Sequence, residues 1–249
     1  IEDKISKKKK KISINASLSK FLDYLKVMGI VEINYAKAYG SFKKVNDEVI
    51  EIEKEIKYQT IEEFELFMHN VTDTYWYAFF NFLFWHGLRK GEQQAITWKD
   101  IDFENEVVKI NKTVSKSKSG GIKITNTKNK RNRVIYLASQ SIEPLTKLYN
   151  QMKYMNGFTD DWFVFGYGPN KDNIVARNTI DRKLKNIYSL IIETYPEKKI
   201  NVLTHHEFGR HSHASYLLNK GIGREDIYNI IALRLGDSER VIRETYAHP

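Results

Sequence analysis

Between Thr204 and Ser215 the chain reads Thr-His-His-Glu-Phe-Gly-Arg-His-Ser-His-Ala-Ser, which puts four histidines and one arginine within residues 205–213. About one helical hairpin later comes Tyr246, followed by His248. Groups of these types bind anions and move protons. Crowding them is costly for a segment that only fills a core, because each buried polar group needs a partner. The chain is also strongly basic, with 40 Lys and Arg against 31 Asp and Glu and a formal charge of +9; its pI is near 9.3. Together these features favour a polyanionic partner and phosphate chemistry. Charge alone does not separate nucleic acid from an anionic membrane surface.

A second candidate lies at Gly87-Leu-Arg-Lys-Gly-Glu92, continued by Ala95-Ile-Thr-Trp98-Lys-Asp-Ile-Asp102. Arg89 directly follows the most hydrophobic segment of the chain, so a core anchors it. Glu92 falls on the same helical face and can orient the guanidinium. The two segments resemble the arginine motifs of the tyrosine recombinases, the phage-integrase family. In that family a Gly-Leu-Arg-x-Gly-Glu turn opens a helix leading to Trp-x-Asp-Ile-Asp. A later stretch carries a His-x-x-Arg-His helix start, a Leu-Gly-His turn and a Thr-x-x-Tyr-like end. The match at 87–102 is the more specific of the two. The resemblance covers roughly residues 55–249, and residues 1–45 match only the tail of a helical core-DNA-binding domain.

The resemblance implies a mainly α fold with a small antiparallel β-sheet (α+β), acting on duplex DNA as a multimer, expected to be a tetramer. It implies a site-specific recombinase that cuts and rejoins DNA through a 3′-phosphotyrosyl intermediate. The alternatives are a type IB topoisomerase-like enzyme and a catalytically weakened DNA-binding regulator of the same fold. Such chemistry requires a nucleophile, positive charge on the non-bridging phosphate oxygens, and an acid for the departing sugar oxygen. Arginine suits the second task because its planar fork stays charged and donates bidentately. A tyrosine nucleophile stores the bond energy in an aryl phosphodiester, so neither ATP nor a metal is required. By resemblance, Tyr246 is the nucleophile, Arg89 and Arg210 clamp the phosphate, Lys128 is the acid with Lys130 as its rival, and His206 assists proton transfer. Glu92, His211 and Asp237 are the supporting candidates.

Two departures from the family pattern matter. Glu207, Phe208 and Gly209 separate His206 from Arg210, one residue more than His-x-x-Arg allows. Either Gly209 is a local bulge that restores the geometry, or His206 does not reach the phosphate. Asp237 stands after Leu235-Gly236, where the family usually has His or another donor. An ionised Asp there would repel a phosphate, and its innocent reading is a helix N-cap.

Several elements have to position these groups. Asn15 to Met28 reads as one amphipathic helix, preceded by Lys4 and the run Lys7 to Lys11, which is either a solvated start or a phosphate-contacting arm. A linker follows, with a strand-like piece at Val49 to Ile56. Thr60-Ile-Glu-Glu63 forms a capping box for a helix to about Val71. Thr74 to His86 is a buried aromatic helix closed by Gly87. Runs at Val107 to Val114, Ile122 to Lys128 and Arg133 to Leu137, with turns between, read as a small antiparallel sheet. No acid occurs between Glu106 and Glu143. Lys109, Lys112, Lys116, Lys118, Lys123, Lys128, Lys130, Arg131 and Arg133 all fall in that interval, which marks the hairpin as the DNA-facing surface. Ser141 to Met155 is a helix with Pro144 in its first turn. Trp162 to Phe165 is extended, and Ala176 to Glu193 is an amphipathic helix under the site. Helices then run over Phe208 to Leu218, from Gly223 or Arg224 to Leu235, and from Asp237 or Ser238 to Tyr246.

The chain has no cysteine, which excludes disulfides, thiolate metal sites and a Cys nucleophile. No P-loop or metal-ligand spacing occurs, and the histidine cluster has no placed carboxylate or fourth ligand, so neither metal nor other cofactor is expected. The longest apolar run, Tyr75 to Trp85, is about half the ~20 residues a bilayer requires. No signal peptide is evident. A soluble, cytoplasmic and nucleoid-associated protein is the expectation.

Overall fold

The computed structural model describes residues 17–38, 56–117, 121–127 and 132–246. By compactness the chain divides into two units, residues 1–54 and 55–249. In the first, helix α1 covers residues 17–27 and the one-turn helix α2 covers Tyr35–Ala38. Asn34 ties them together, its Nδ2 donating to the Ser19 carbonyl and to Asp23 Oδ1 at 2.8 Å each. Lys37 pairs with the same Asp23 at 2.8 Å. The lysine run at 4–11 and all of the expected strand-like piece but Ile56 lie outside the described residues.

The second unit is mostly helical and is built around an aromatic core. Helix α3 (Ile61–His69) opens on the expected capping box: Glu63 N–H donates to Thr60 Oγ1 at 3.3 Å, and Thr60 N–H donates to Glu63 Oε2 at 2.9 Å. Helix α4 (Thr74–His86) buries nearly every side chain, with Phe79, Phe80, Phe82, Leu83 and Phe84 fully enclosed. Phe64 of α3 stacks on Phe84 at 3.8 Å between centroids. Burial of rings of this size contributes roughly 1.5–3 kcal/mol each, and it fixes α4 as the rod against which the site is assembled.

Helix α5 (Lys90–Ala95) leads through a short 3-10 turn at Trp98–Asp100 into β1 (Ile101–Asp102). Among the described residues the strands form two antiparallel sheets, where the sequence suggests one. The first has the order β1, β2 (Val107–Ile110), β5 (Arg133–Tyr136). The second pairs β3 (Lys112–Lys116) with β4 (Ile122–Asn126), Val114 facing Ile124. Residues 163 and 97 bridge in antiparallel fashion, which holds Trp162 to Phe165 in the expected extended form.

Helix α6 (Ser139–Met152) begins two residues earlier than the sequence suggests. Pro144 therefore lies beyond the first turn, inside the helix, and its missing N–H leaves one carbonyl of that turn without a helical donor. Helix α7 (Arg177–Thr194) packs Ile180, Leu184, Ile187, Tyr188 and Ile191 inward. A π-helical turn (Glu207–His211) runs directly into α8 (Ser212–Lys220). Helices α9 (Ile227–Leu235) and α10 (Glu239–Tyr246) complete a small second core of Ala214, Ile231, Ala232, Leu235 and Ile242. Among the described residues no helix is long and apolar enough to cross a membrane.

Candidate active site

Arg89 is placed by the end of α4. Gly87 stops that helix in the left-handed conformation (φ 59°), and a Cβ there would lie 2.9 Å from both His213 Cβ and Leu235 Cδ2. The chain turns at once into α5, with Arg89 as its N-cap residue. Glu92 then does what its spacing suggests: it accepts from Arg89 N at 3.2 Å and from Arg89 Nη1 at 3.0 Å. Glu92 is almost fully buried and also pairs with Arg133 Nη2 at 2.8 Å. Burial works to raise the Glu92 pKa. The hydrogen bond and charge of Arg133, with those of Arg89, outweigh it and hold the carboxyl below its ordinary value.

Arg210 is placed by the π turn. Thr204 and Glu207 form a second capping box, Thr204 N–H donating to Glu207 Oε2 at 2.7 Å. The extra residue between His206 and Arg210 is taken up as a π turn, in which Ser212 N–H reaches back to the Glu207 carbonyl. Gly209 makes this possible, because a Cβ there would sit 2.4 Å from Leu83 Cδ1 of α4. Phe208 anchors the same turn among Phe64, Phe67, Phe80 and Phe84. The Arg210 guanidinium, with its side chain only 5% exposed, donates to the carbonyls of Gly87 at 3.2 Å and Leu235 at 3.0 Å.

The two arginines meet on Asp237. Arg89 Nη2 donates to Asp237 Oδ1, and Arg210 Nη2 donates to Asp237 Oδ2. Arg89 Nη2 also reaches the Gly236 carbonyl at 3.2 Å. Asp237 is therefore no helix N-cap. The α10 cap is Ser238, whose Oγ accepts from Val241 N at 3.4 Å. The reason is electrostatic: a carboxylate beside two inward guanidiniums gains more from two charge-assisted bonds than from one cap.

Tyr246, at the end of α10, is half-buried, and its hydroxyl lies 2.7 Å from His211 Nδ1. Burial pushes its pKa up to about 12, opposed by the charge of Arg210. His206 is exposed, and its ring meets that of His211 edge-on with centroids 4.5 Å apart. His205 and His213 point elsewhere. Both are buried, and burial pulls the His205 pKa down to about 3 and that of His213 well below the ordinary value. Among the described residues no group of three His, Asp or Glu is placed to hold a metal ion.

Beside these groups lies an open cleft of about 1080 Å³ between the β3–β4 hairpin and α7. Arg89, Lys90, Arg177, Lys185 and His206 line it together with Thr113 and Ser115. Its scale and charge suit a strand of polyanion better than a small apolar ligand.

The profile of the Phage integrase family matches residues 56–236. The chain belongs to that family. A curated relative, the ICEBs1 integrase of Bacillus subtilis (strain 168), is 27% identical over 206 residues, covering 78% of this chain and 51% of the relative. The chain thus spans about half that relative's length. Among solved structures, a Tn1549 transposon integrase in complex with a circular intermediate DNA matches with a TM-score of 0.67 at 18% identity, over 83% of this chain and 66% of the other. XerA recombinase matches with a TM-score of 0.55 at 20% identity, over 77% of this chain and 60% of the other. At these identities the structural matches show the fold: the mainly helical phage-integrase catalytic fold with small antiparallel sheets.

Within this phage-integrase fold, Arg89, Arg210, Asp237, Glu92, Tyr246, His206 and His211 come together. The lysine-rich hairpin behaves less uniformly than its sequence suggests. Lys109 and Lys123 are exposed. Lys112 is instead held by Asp100 at 2.6 Å and donates to Thr97 Oγ1 at 3.1 Å. Arg133 turns inward, its Nε donating to the Arg234 carbonyl at 2.9 Å while its fork pairs with Glu92, so its charge serves the site's scaffold rather than a DNA-facing surface. Lys116 lies in β3, whereas Lys118, Lys128, Lys130 and Arg131 lie outside the described residues. Sequence reasoning missed Lys90, Arg177 and Lys185 on the cleft. The signal was present in the four-residue spacing of Arg177, Asp181 and Lys185, which puts all three on one face of α7.

Proposed function

We propose that this chain is a site-specific DNA recombinase of the integrase type, cutting and rejoining duplex DNA through a 3′-phosphotyrosyl intermediate. One observation carries the reading: two guanidiniums from distant parts of the chain converge on the two oxygens of one carboxylate, one oxygen each. A phosphodiester also presents two non-bridging oxygens and a single negative charge. It can take over both contacts from Asp237, with Arg89 and Arg210 already oriented by Glu92 and by the Gly87 and Leu235 carbonyls.

On this reading Tyr246 attacks the clamped phosphorus and the 5′ sugar oxygen departs. Lys128 supplies its proton, with Lys130 as the rival, and His206 assists on the cleft side. Duplex DNA lies along the cleft and the exposed lysines of the hairpin, Lys109 and Lys123 among them. The family match and the DNA-bound Tn1549 integrase support this choice of partner. Residues 55–249 form the catalytic domain, and residues 1–45 are the end of a helical core-DNA-binding domain. A tetramer on DNA, in the cytoplasm and at the nucleoid, follows from the same reading.

The test is incubation with a nicked DNA site that loses the short downstream fragment bearing the freed 5′ hydroxyl on cleavage and so traps the adduct. A gel-stable protein–DNA species supports the proposal. Shifted but non-covalent DNA would make the chain a binding regulator, and relaxation of any supercoiled plasmid would point to a topoisomerase.

A further inference from the structure

We infer that His211, named from the sequence only as a supporting candidate, is the catalytic proton acceptor for the Tyr246 hydroxyl. The inference rests on the strand-transfer reading above. Its basis is the 2.7 Å contact between His211 Nδ1 and the Tyr246 oxygen, with ring centroids 5.5 Å apart. In the tautomer that carries its proton on Nε2, Nδ1 accepts the hydroxyl hydrogen. A general base has to lie at hydrogen-bond distance from the proton it removes, and this contact already meets that requirement.

The π turn explains why the role falls to residue 211. An α-helix brings residues three and four apart onto one face. The extra residue at 207–211 widens the turn and brings His206 and His211, five apart, ring against ring. His206 is left on the cleft, where the phosphate and leaving group are expected, and His211 stands at the nucleophile. The inserted residue thus separates two proton-handling positions. Partial burial makes the unaided Tyr246 phenolate scarce at neutral pH, so a base in contact has something to supply.

The proton balance closes. As the Tyr246 Oη–phosphorus bond forms, the hydroxyl proton passes to His211 Nδ1. The phosphorus–5′-oxygen bond breaks, its electron pair leaves with the oxygen, and that oxygen takes a proton from the lysine acid proposed above. In rejoining, the 5′ hydroxyl attacks phosphorus and the lysine amine takes the hydroxyl proton; the phosphorus–Tyr246 Oη bond breaks, its electron pair leaves with the tyrosine oxygen, and the imidazolium returns its proton to that oxygen.

The experiment is single-turnover adduct formation by the full chain on the nicked site. His211→Ala and His211→Asn are compared with the unaltered chain, each carrying either tyrosine or 3,5-difluorotyrosine at position 246. Asn keeps a hydrogen-bond partner near the Nδ1 position but cannot take a proton. The base assignment predicts that both variants lose on the order of 10²-fold or more in rate. It also predicts that the more acidic fluorinated phenol narrows this gap to a few-fold. In the unaltered chain the rate should fall on acidification as the imidazole protonates, with Glu207, His206, Arg210, Tyr246 and Asp237 as the charged or titratable neighbours and Lys57 acting on Glu207. An Asn variant as fast as the unaltered chain would overturn the inference, as would a gap that fluorination leaves unchanged. If the unaltered chain forms no adduct, the strand-transfer reading itself is overturned, and this inference with it.

Discussion

Arg89 and Arg210 meet on one anion, each placing its Nη2 on a different oxygen of Asp237. On the proposed reading this is the phosphate clamp, already assembled around a carboxylate of the chain itself. Charge-assisted bonds of this kind are worth ~1.5–3 kcal/mol each, so in the proposed reaction an entering phosphate has to displace an internal competitor.

Asp237→Asn is expected to remove that competitor. Adduct formation on a nicked site should rise by roughly tenfold, and Asp237→His, which offers a donor to the phosphate, should rise by at least as much. The same change leaves the enclosed Arg210 charge without its counter-ion, so the melting temperature should fall without DNA and recover when DNA is added. A slower cleavage rate in a folded Asp237→His variant would show that Asp237 has a catalytic task of its own.

Glu92 holds Arg89 on one side and Arg133 on the other. Removing one partner of a buried charge pair costs about 3–5 kcal/mol. Glu92→Gln should lower stability on that scale and slow cleavage even where DNA affinity is nearly unchanged, because the proposed phosphate contact of Arg89 loses its aim. Urea unfolding and single-turnover cleavage read the two effects separately. A stable variant with full activity would remove Glu92 from the scaffold.

How legible the site was depends on the range of each interaction. The Thr60–Glu63 box, the Gly87 stop and the Arg89–Glu92 contact were readable because all are settled within three or four residues. The inward turn of Arg133, the role of Asp237 and the Lys112–Asp100 pair were not, because each depends on a partner delivered by another element. The Thr204–Glu207 box has the same spacing as Thr60–Glu63 and is legible in the same way. The split into two sheets depends on where β2 ends and β3 begins, which a continuous polar–apolar alternation does not mark.

Lys128 is proposed to protonate the leaving 5′ oxygen. A substrate with sulfur at that bridging position has a leaving group that needs no proton. Lys128→Ala should cleave the sulfur substrate well and the oxygen substrate poorly. Equal defects on both would make Lys128 a phosphate contact, and the same comparison on Lys130 decides between the two lysines.

His86 is enclosed by the core, its Nδ1 2.9 Å from the Phe82 carbonyl while its Nε2 accepts from Ala138 N at 3.2 Å. Burial pulls its pKa down to about 3, and does the same for His205. Between about pH 6.5 and pH 3 the unfolded chain takes up protons at these positions that the folded chain refuses. Stability should therefore fall as pH drops through that window, by ~1.4 kcal/mol per pH unit per histidine. Melting temperatures at pH 7 and pH 5 check this, and His86→Gln should show a smaller drop between the two. An unchanged drop would place the proton uptake elsewhere.

Peptide mapping of the trapped adduct tests the central claim most directly. After incubation with the nicked site and nuclease trimming, mass spectrometry should find the residual nucleotide on the peptide that ends α10, attached to Tyr246. Tyr246→Phe should form no adduct while binding DNA within a few-fold of the unaltered chain, since only the nucleophilic oxygen is lost. A nucleotide on any other residue, or an adduct that persists in Tyr246→Phe, would contradict the account.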